Sequence, residues 1–207
     1  MLWLNILIAA AAGYLLGNLN GALLISKYLL KSDIRKRGSG NAGLTNFLRS
    51  YGGLQTLLVL AIDVAKTVAA CMIGGALLRG FGLYELGKML GGAFTVVGHM
   101  YPMLFGFRGG KGILCCAALA GAMDWYAFAV IIGVFLIVLL LTRYVSLSSC
   151  MGALVYPFAF AWRFRGEWLI IALALALAVW VISMHRENFR RLRAGTESKL
   201  SFHRPKS

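Results

Sequence analysis

The sequence predicts an all-α integral membrane protein that crosses the bilayer several times. Of its 207 residues, 60% are hydrophobic and 14% are charged, and the mean hydropathy is +0.77. That is more apolar surface than a soluble core of this length can bury. The formal net charge of +14 comes from basic residues between the apolar runs. Anionic lipid and anionic substrates are therefore better partners than nucleic acid.

Apolar runs close to the roughly 20 residues that cross the hydrocarbon layer predict the spans in order. Three runs are long enough without difficulty: 3–26, 54–78 and 126–142. Four more are predicted at 89–105, 113–123, 148–162 and 167–184. The total is about seven helices. The first run lacks a basic leader and has no Ala-x-Ala cleavage site at its end, so we interpret it as a span and not a signal peptide.

The distribution of basic residues predicts the orientation of these spans. With an external N-terminus, most of the 21 Lys and Arg residues fall in cytoplasmic segments, including Arg204 and Lys206 near the C-terminus. The external loops then hold only Arg79, Lys88, Arg163 and Arg165. The positive-inside rule favours this arrangement. We expect an external N-terminus, a cytoplasmic C-terminus and one membrane-embedded domain over 1–207, with its three polar motifs on the cytoplasmic side.

The first polar motif reads GSGNAGLTNFLR and ends at Arg49. Its glycines let the backbone approach a ligand and turn N–H groups inward. Arg49 offers a planar, bidentate clamp for phosphate. Further polar groups and backbone positions of this loop are Ser39, Gly40, Asn41, Thr45 and Asn46. The alternative is structural, because such residues form turns and Ser39 or Thr45 could cap a helix.

The second polar motif is GFRGGKG, which precedes a predicted helix. We expect its consecutive glycines to present free backbone N–H groups to phosphate at the positive end of that helix. The residues concerned are Arg108, Gly109, Gly110, Lys111 and Gly112. The spacing is not that of a P-loop, and no acidic residue stands ready to hold magnesium. The alternative is a glycine-rich hairpin whose cations set the topology.

Three ionisable residues are predicted inside the membrane. His99 precedes Pro102 in a helix that should reach the cytoplasmic side near the second motif. An intramembrane histidine is costly unless it has a partner, so a functional role and a satisfied core histidine are both open. Asp63 and Lys66 lie one turn apart on the second span, so we interpret them as an ion pair that makes two buried charges tolerable.

The third polar motif, HRENFRRLRAGTESK, follows the last predicted span. It places His185 and Asn188 at the cytoplasmic side, and Ser146 of RYVSLSS is expected to lie near the same face. The alternative for this segment is a solvated basic helix end attracted to anionic lipid. Glu187 is surrounded by arginines in sequence, so we predict that it organises them.

Taken in order, these motifs resemble one family. SGNxGxTNxLR, DxxK, GHxxPxxxxFxGGKG, RYVSLxS and HRENxxRLxxGTExK are similar to those of the bacterial acyl-phosphate:glycerol-3-phosphate acyltransferases, and they cover nearly the whole chain. Three positions depart from the family pattern: Asn20 and Ser198 stand where proline is common, and Thr67 replaces the glycine after DxxK.

The resemblance implies a seven-helix enzyme of phospholipid synthesis in the bacterial cytoplasmic (inner) membrane. It would move a fatty acyl group from acyl phosphate to the 1-hydroxyl of glycerol 3-phosphate, without a cofactor or metal. Its expected partners are these two substrates, membrane lipid and a soluble enzyme that makes acyl phosphate.

The site residues follow from the same resemblance, read beside the chemistry above. Catalysis is assigned to Ser39, Arg49, His99, Lys111 and Asn188. Substrate binding is assigned to Gly40, Asn41, Thr45, Asn46, Arg108, Gly109, Gly110, Gly112, Ser146 and His185. Structural support is assigned to Asp63, Lys66 and Glu187.

Two proton acceptors are open for this reaction. One is His99, and the other is a phosphate oxygen of the acyl donor. An acyl phosphate is already activated, so positioning and oxyanion stabilisation could supply most of the acceleration. We favour the donor phosphate, with His99 as an orienting group, because no carboxylate in the sequence is evidently placed to tune the imidazole.

Other functional classes fit the sequence less well. None of the three histidines is followed by aspartate at the H-x-x-x-x-D spacing of CoA-dependent acyltransferases, and the seven Asp and Glu residues are too scattered for a metal-dependent phosphotransferase. The four cysteines lie in apolar stretches without a C-x-x-C pattern, so neither a disulfide nor a metal site is predicted. A transporter of organic anions or lipid intermediates is the alternative from another class.

Overall fold

The computed structural model describes residues 1–200, and over that range the chain is helical and contains no strand. It forms two compact units, Met1–Trp125 and Tyr126–Ser207. The prediction of an all-α protein is confirmed. The prediction of a single domain over 1–207 stays a prediction beside this division.

The first unit contains three long helices and several short ones. The helices are α1 (Leu2–Gly17), α2 (Gly21–Leu24), α3 (Leu44–Tyr51), α4 (Gly53–Leu78), α5 (Tyr84–Met100) and α6 (Ile113–Met123). A π-helical turn extends α2 over Ile25–Leu29, and 3₁₀ turns lie at Ile34–Lys36, Arg79–Phe81 and Met103–Phe105. The first predicted span is thus broken between α1 and α2, where Asn20 adopts an extended conformation.

Small residues line the contacts among α1, α4 and α5. Gly13 of α1 faces Gly91 of α5, and Gly74 of α4 faces Gly87 of α5 so closely that an added Cβ would overlap the opposing backbone. Small residues at such crossings let helix backbones approach each other in lipid, where no hydrophobic force drives association. Close backbone packing therefore holds these three helices together.

A separate apolar cluster anchors the loop between α2 and α4. Its largest fully buried side chains are Phe47 and Ile34, both with no exposed surface. The cluster also contains Ala22, Leu23, Ala42, Val59 and Phe105. Phe105 lies after α5, next to the second motif, whereas the other members lie from α2 to α4, around the first motif. The cluster therefore packs the loop of the first motif against the segment that carries the second.

The second unit consists of α7 (Trp125–Thr142), α8 (Val145–Arg163), α9 (Trp168–Ser183) and α10 (Arg186–Arg193). Helices α8 and α9 pack against each other, and α10 turns away from α9 by 48°. The turn places the last polar motif on a short helix of its own at the end of an apolar one.

All seven predicted spans overlap a helix of the described chain, but not every helix is long enough to cross a bilayer alone. The helical stretches Leu2–Leu29, Gly53–Phe81, Trp125–Thr142 and Val145–Arg163 have the length and apolar composition of spans. The bent pair α9 and α10 would be a fifth. Seven spans and the orientation of the termini stay predictions. Arg204 and Lys206, which support that orientation, lie outside the described residues.

We expect Gly91→Ala to lower the thermal stability of the protein. An added Cβ would overlap the Ala70 carbonyl and lie 2.8 Å from its carbon. Helix backbones cannot move aside as flexible side chains do, so overpacking should cost about 1–3 kcal/mol. The measurement is thermal unfolding in detergent. Gly133→Ala in α7 is the matched control, because its Cβ would meet nothing within 4 Å; equal melting temperatures for both variants would contradict the packing account.

Candidate active site

Asn46 folds the first polar loop onto itself. It is 4% exposed, and its Oδ1 accepts a hydrogen bond from the Ser39 N–H at 2.9 Å. Its Nδ2 donates to the carbonyls of Arg37 at 3.0 Å and Asn41 at 2.9 Å. The sequence predicts a substrate ligand here, whereas the structure uses this amide within the loop, because the turn leaves those backbone groups without helical partners.

The rest of the first loop presents its polar groups at or near the surface. Ser39, Gly40 and Arg49 are exposed, and Asn41 and Thr45 are half-buried. Helix α3 begins after Gly43 without a side-chain cap. The alternative role of Ser39 or Thr45 as a helix cap therefore does not apply. Gly40 has φ +74°, a backbone conformation that glycine adopts at little cost.

The second loop packs on the end of α5. The Gly109 N–H donates to the Met100 carbonyl at 3.0 Å, and the Gly110 N–H donates to the His99 carbonyl at 3.1 Å. The expectation that these two N–H groups are free to bind phosphate is therefore wrong for the structure described. The glycines have a different reason: a Cβ on Gly109 would overlap the His99 carbonyl, and one on Gly110 would overlap the His99 ring.

Lys111, Arg108 and Gly112 occupy the rest of that loop. Arg108 is exposed and Lys111 is half-buried. Gly112 has φ +78° and immediately precedes α6, so the loop ends at a helix N-terminus as predicted. The cations of this motif thus lie beside a positive helix end.

Arg35 joins the two loops, a role that the sequence analysis missed. Its Nη1 donates to the Phe105 carbonyl at 2.7 Å, while its Nε and Nη2 hold both oxygens of Asp33 at 3.0 and 2.9 Å. The hydrogen bond from Arg35 is the main reason that the pKa of Asp33 lies below its ordinary value. The only sequence signal was an aspartate two residues before an arginine in SDIRKRG.

A buried ionic cluster lies beneath the loops. Lys66 Nζ is 2.7 Å from Asp63 Oδ1 and 3.1 Å from His99 Nδ1. Asp63, Lys66 and His99 are 1%, 5% and 3% exposed. The predicted ion pair within α4 is present in the structure. Lys66 also donates to the carbonyls of Gly17 and Leu19 at 3.2 and 3.0 Å, which are at the break after α1.

Asp63 lies beside His99, contrary to the expectation that no carboxylate tunes this imidazole. Asp63 Oδ1 is 3.4 Å from His99 Nδ1 and also accepts the Gly21 N–H at 3.1 Å. Its Oδ2 is buried without a hydrogen-bond partner among the described residues. Spacing along the chain could not show this proximity, because it depends on how α4 and α5 cross.

The same cluster resembles a metal site in its donor atoms. One ligand atom each from Asp63, His99 and Cys115 lies within 4.8 Å of the others. However, the ammonium group of Lys66 lies against both Asp63 and His99. A second cation would be repelled strongly at this range in a medium of low dielectric constant. We therefore interpret the cluster as a lysine site and not a metal site.

In the second unit, Glu197 gathers three polar side chains. Its Oε1 accepts hydrogen bonds from Ser146 Oγ and Asn188 Nδ2, both at 2.7 Å. Its Oε2 accepts from Arg191 Nε at 2.7 Å. Ser146, predicted to bind substrate, and Asn188, predicted to act in catalysis, thus meet at a carboxylate that was not among the predicted site residues. The signal available was the GTE triplet of the third motif.

Glu187 pairs with one neighbouring arginine, whereas Glu197 holds the cluster described above, so the predicted role of Glu187 in organising the arginines stays a prediction. Its carboxylate is 52% exposed and pairs with Arg190, itself 80% exposed, at 2.8 Å. Helical geometry explains the difference, because Glu187 and Arg190 lie one turn apart on the outer side of α10, whereas Asn188 and Arg191 face Glu197. Such an exposed pair contributes little to stability.

His185 lies at the junction of α9 and α10 and is 3% exposed. Its Nδ1 is 2.8 Å from the Val181 carbonyl. A carbonyl oxygen only accepts, so Nδ1 carries the hydrogen and Nε2 is left as the acceptor or proton-binding atom of the ring. The ring orientation of this predicted substrate-binding residue is therefore fixed by its own helix.

Fold and sequence motifs together define a class: a helical integral membrane protein whose loops carry hydroxyl, amide, arginine and lysine groups suited to anionic ligands. The model of the glycerol-3-phosphate acyltransferase family matches residues 7–195. The chain belongs to this family.

Relatives match along almost the whole chain. The glycerol-3-phosphate acyltransferase of Thermoanaerobacter pseudethanolicus is 39% identical over 193 residues, which are 93% of this chain and 94% of the relative. That of Listeria monocytogenes is 35% identical over 204 residues, covering 96% and 98% of the two chains.

Two crystal structures are also similar, both of PlsY (YgiH), an integral membrane glycerol 3-phosphate acyltransferase. Its glycerol 3-phosphate form has a TM-score of 0.83 at 32% identity and covers 95% of this chain and 96% of that one. Its lysophosphatidic acid form has a TM-score of 0.81 at 31% identity and covers 95% of each chain.

We expect acid to release the Glu197 cluster. Burial raises the pKa of Glu197, but hydrogen bonds from Ser146, Asn188 and Arg191 outweigh it and hold the pKa below the ordinary value of 4.5. The carboxylate therefore stabilises the fold above pH 4.5, and this contribution is lost as the pH falls through the lowered pKa. The measurement is the protection factor of residues 194–200 at neutral and acidic pH, that is, their hydrogen exchange corrected for the intrinsic rate at each pH.

Glu197→Gln is the control for that experiment, because it keeps the shape but removes the charge. The protection factors in this variant should be low at neutral pH and should change little on acidification. If the variant instead protects the segment as well as glutamate does, the charge of Glu197 does not hold the cluster.

Proposed function

We propose that this chain transfers a fatty acyl group from acyl phosphate to the 1-hydroxyl of glycerol 3-phosphate, giving 1-acylglycerol 3-phosphate and phosphate. The observation that carries the proposal is the similarity over 95% of the chain to a protein solved in glycerol 3-phosphate and lysophosphatidic acid forms. Acyl phosphate as donor rests on the ordered motifs of the sequence.

The loops supply the charges that two phosphorylated substrates require. Arg49 offers a planar fork for one phosphate, and Lys111 offers an ammonium group beside the N-terminus of α6. Ser39 is exposed at the start of the same loop as Arg49. We assign these three residues to catalysis because they combine cations with a neutral donor where the negative charge of the transition state develops.

The donor is already activated, so the protein has to lower the activation barrier only moderately. The 1-hydroxyl oxygen attacks the acyl carbon, the bond from that carbon to the phosphate oxygen breaks, and the hydroxyl proton passes to the departing phosphate. Because the donor is a mixed anhydride, orientation and stabilisation of the oxyanion supply most of the acceleration. Ser146 and His185 are assigned to substrate binding, and Asn188 is assigned to catalysis.

His99 is better suited to orientation than to proton transfer. Its ring is 3% exposed, and its Nδ1 lies against Lys66 and Asp63. Gly110 packs directly on the opposite edge of the ring. A general base must reach the substrate hydroxyl directly or through one water. The enclosure of this imidazole thus supports a role beneath the loops, with the donor phosphate as proton acceptor.

Seven spans, an external N-terminus and a cytoplasmic C-terminus complete the proposal, in a multi-pass protein of the bacterial inner membrane. The acyl tail of the donor would lie among the apolar helices while the phosphates meet the cytoplasm. A soluble enzyme that makes acyl phosphate would then supply the donor at the membrane surface. The alternative is an anion transporter. An acyltransferase breaks the bond between the acyl group and phosphate, whereas a transporter moves its ligand unchanged.

Purified protein in detergent should release phosphate from palmitoyl phosphate only when glycerol 3-phosphate is present, and in equal amount to the lysophosphatidic acid formed. Arg49→Lys keeps the charge but loses the planar fork, so kcat/KM should fall about 10- to 100-fold. Arg79→Lys, whose guanidinium packs on the Tyr84 ring, is the matched control and should keep full activity. Phosphate release without acyl transfer, or movement of the anion across the bilayer of proteoliposomes without either reaction, would overturn the assignment.

The His99→Gln variant separates orientation from base catalysis. If the donor phosphate takes the proton, this variant should keep kcat within about tenfold of the wild type and change mainly KM. A positioned base would instead be worth about 10²- to 10⁴-fold in rate. The measurement is kcat and KM as a function of pH, with folding checked by thermal unfolding; a kcat loss in the larger range in folded protein would assign the proton to His99.

A further inference from the structure

Asn20 occupies the break between α1 and α2 and has no exposed surface. Its backbone is extended, with ψ 112°, and its Oδ1 accepts the Leu23 N–H at 3.0 Å. This bond caps α2, because the first N–H groups of a helix have no partner within the helix. One half of the side-chain amide is therefore committed to restarting the helix after the break.

The other half of the amide contacts parts of both polar loops. Asn20 Nδ2 donates to the Ala42 carbonyl of the first loop at 3.1 Å. It also lies 3.4 Å from the His99 carbonyl, and that carbonyl accepts the Gly110 N–H of the second loop. The His99 ring nitrogens are 3.4 and 3.5 Å from the same atom.

The two loops are in contact at this point. A Cβ on Gly110 would lie 2.7 Å from the Ala42 oxygen, so the loops approach each other here as closely as glycine permits. Ala42 has no exposed surface. An amide carries two hydrogens, which is the number needed to serve the Ala42 carbonyl and the His99 carbonyl or ring at once.

We propose that Asn20 is a positioning residue that sets the separation between the first loop and the second. Resting on the proposed function, it fixes the distance between the cations of the two loops and hence the fit of glycerol 3-phosphate between them. It acts through the backbone of Ala42 and through His99 and does not contact the substrate. Without its Nδ2 donor, a buried carbonyl loses a partner and the first loop is free to shift.

Two variants separate this role from the capping of α2. Asn20→Ser keeps a good helix cap but is too short to reach the Ala42 carbonyl. Asn20→Asp keeps the length and the accepting oxygen but replaces the amide donor with a carboxylate oxygen. We expect KM for glycerol 3-phosphate to rise about tenfold in both variants, with a smaller change in kcat.

Thr95→Val is the matched control. Thr95 is also fully buried, and its hydroxyl donates to the carbonyls of Gly13 at 3.0 Å and Gly91 at 2.9 Å. Its loss removes a buried hydrogen bond between α1 and α5, away from the loops. This variant should lose thermal stability with KM unchanged. If the Asn20 variants show only that pattern, or retain the wild-type KM, Asn20 is a structural residue and the proposal fails.

Hydrogen exchange tests the same proposal without relying on activity. Peptides covering 40–44 and 106–112 should exchange faster in both Asn20 variants than in the wild type. In Thr95→Val these peptides should exchange at the wild-type rate. Wild-type protein that lacks acyl transfer would refute the proposed function, whereas unchanged exchange in both loops would refute the positioning role. If Asn20→Ser fails to fold, Asn20→Asp still decides between these outcomes.

Discussion

Direct contact between helix backbones is the constraint on which the first unit depends. Helices α1, α4 and α5 meet through glycines whose opposing atoms leave no room for a Cβ. In a membrane, where apolar side chains gain little by leaving lipid, such close packing is a main source of helix association. It also removes water from the space between the helices, and this makes the Asp63, Lys66 and His99 cluster a buried one.

Burial then decides which polar groups have to be satisfied by the protein itself. The ammonium group of Lys66 is held by a carboxylate and by two carbonyls that the break after α1 makes available. The break is in turn stabilised by Asn20, whose amide reaches Ala42. One hydrogen-bonded arrangement therefore includes the break in the first span, the buried ion pair and the placement of the loops.

Much of this could be predicted from local sequence. Long apolar runs identify the helices, and the spacing of Asp63 and Lys66 identifies their ion pair, because one turn of a helix brings such residues together whatever surrounds them. The glycines of the second motif were recognised as special for the wrong reason. Their N–H groups bond to the end of α5, and glycine is needed there for packing against His99.

Contacts between distant segments could not be predicted in this way. Asp63 approaches His99 because of how two helices cross, and Glu197 reaches Ser146 across 51 positions of the chain, after the 48° bend between α9 and α10. Sequence favours Glu187 over Glu197 as the residue that organises the arginines, because more arginines lie next to it along the chain. The order of residues does not show which side of α10 faces the protein. Arg35 could not be recognised as a link to the second loop because its partner there is the backbone carbonyl of Phe105, and every residue carries such a carbonyl.

The position of both members of the ion pair on α4 also bears on how the protein is made. A lone charge at the centre of a helix costs about 2.5–3.5 kcal/mol when that helix enters the bilayer. Asp63 and Lys66 are one turn apart on the same helix, so α4 carries its own counter-ion during insertion. The helix is therefore electrically neutral by itself, before α5 brings His99 to the pair.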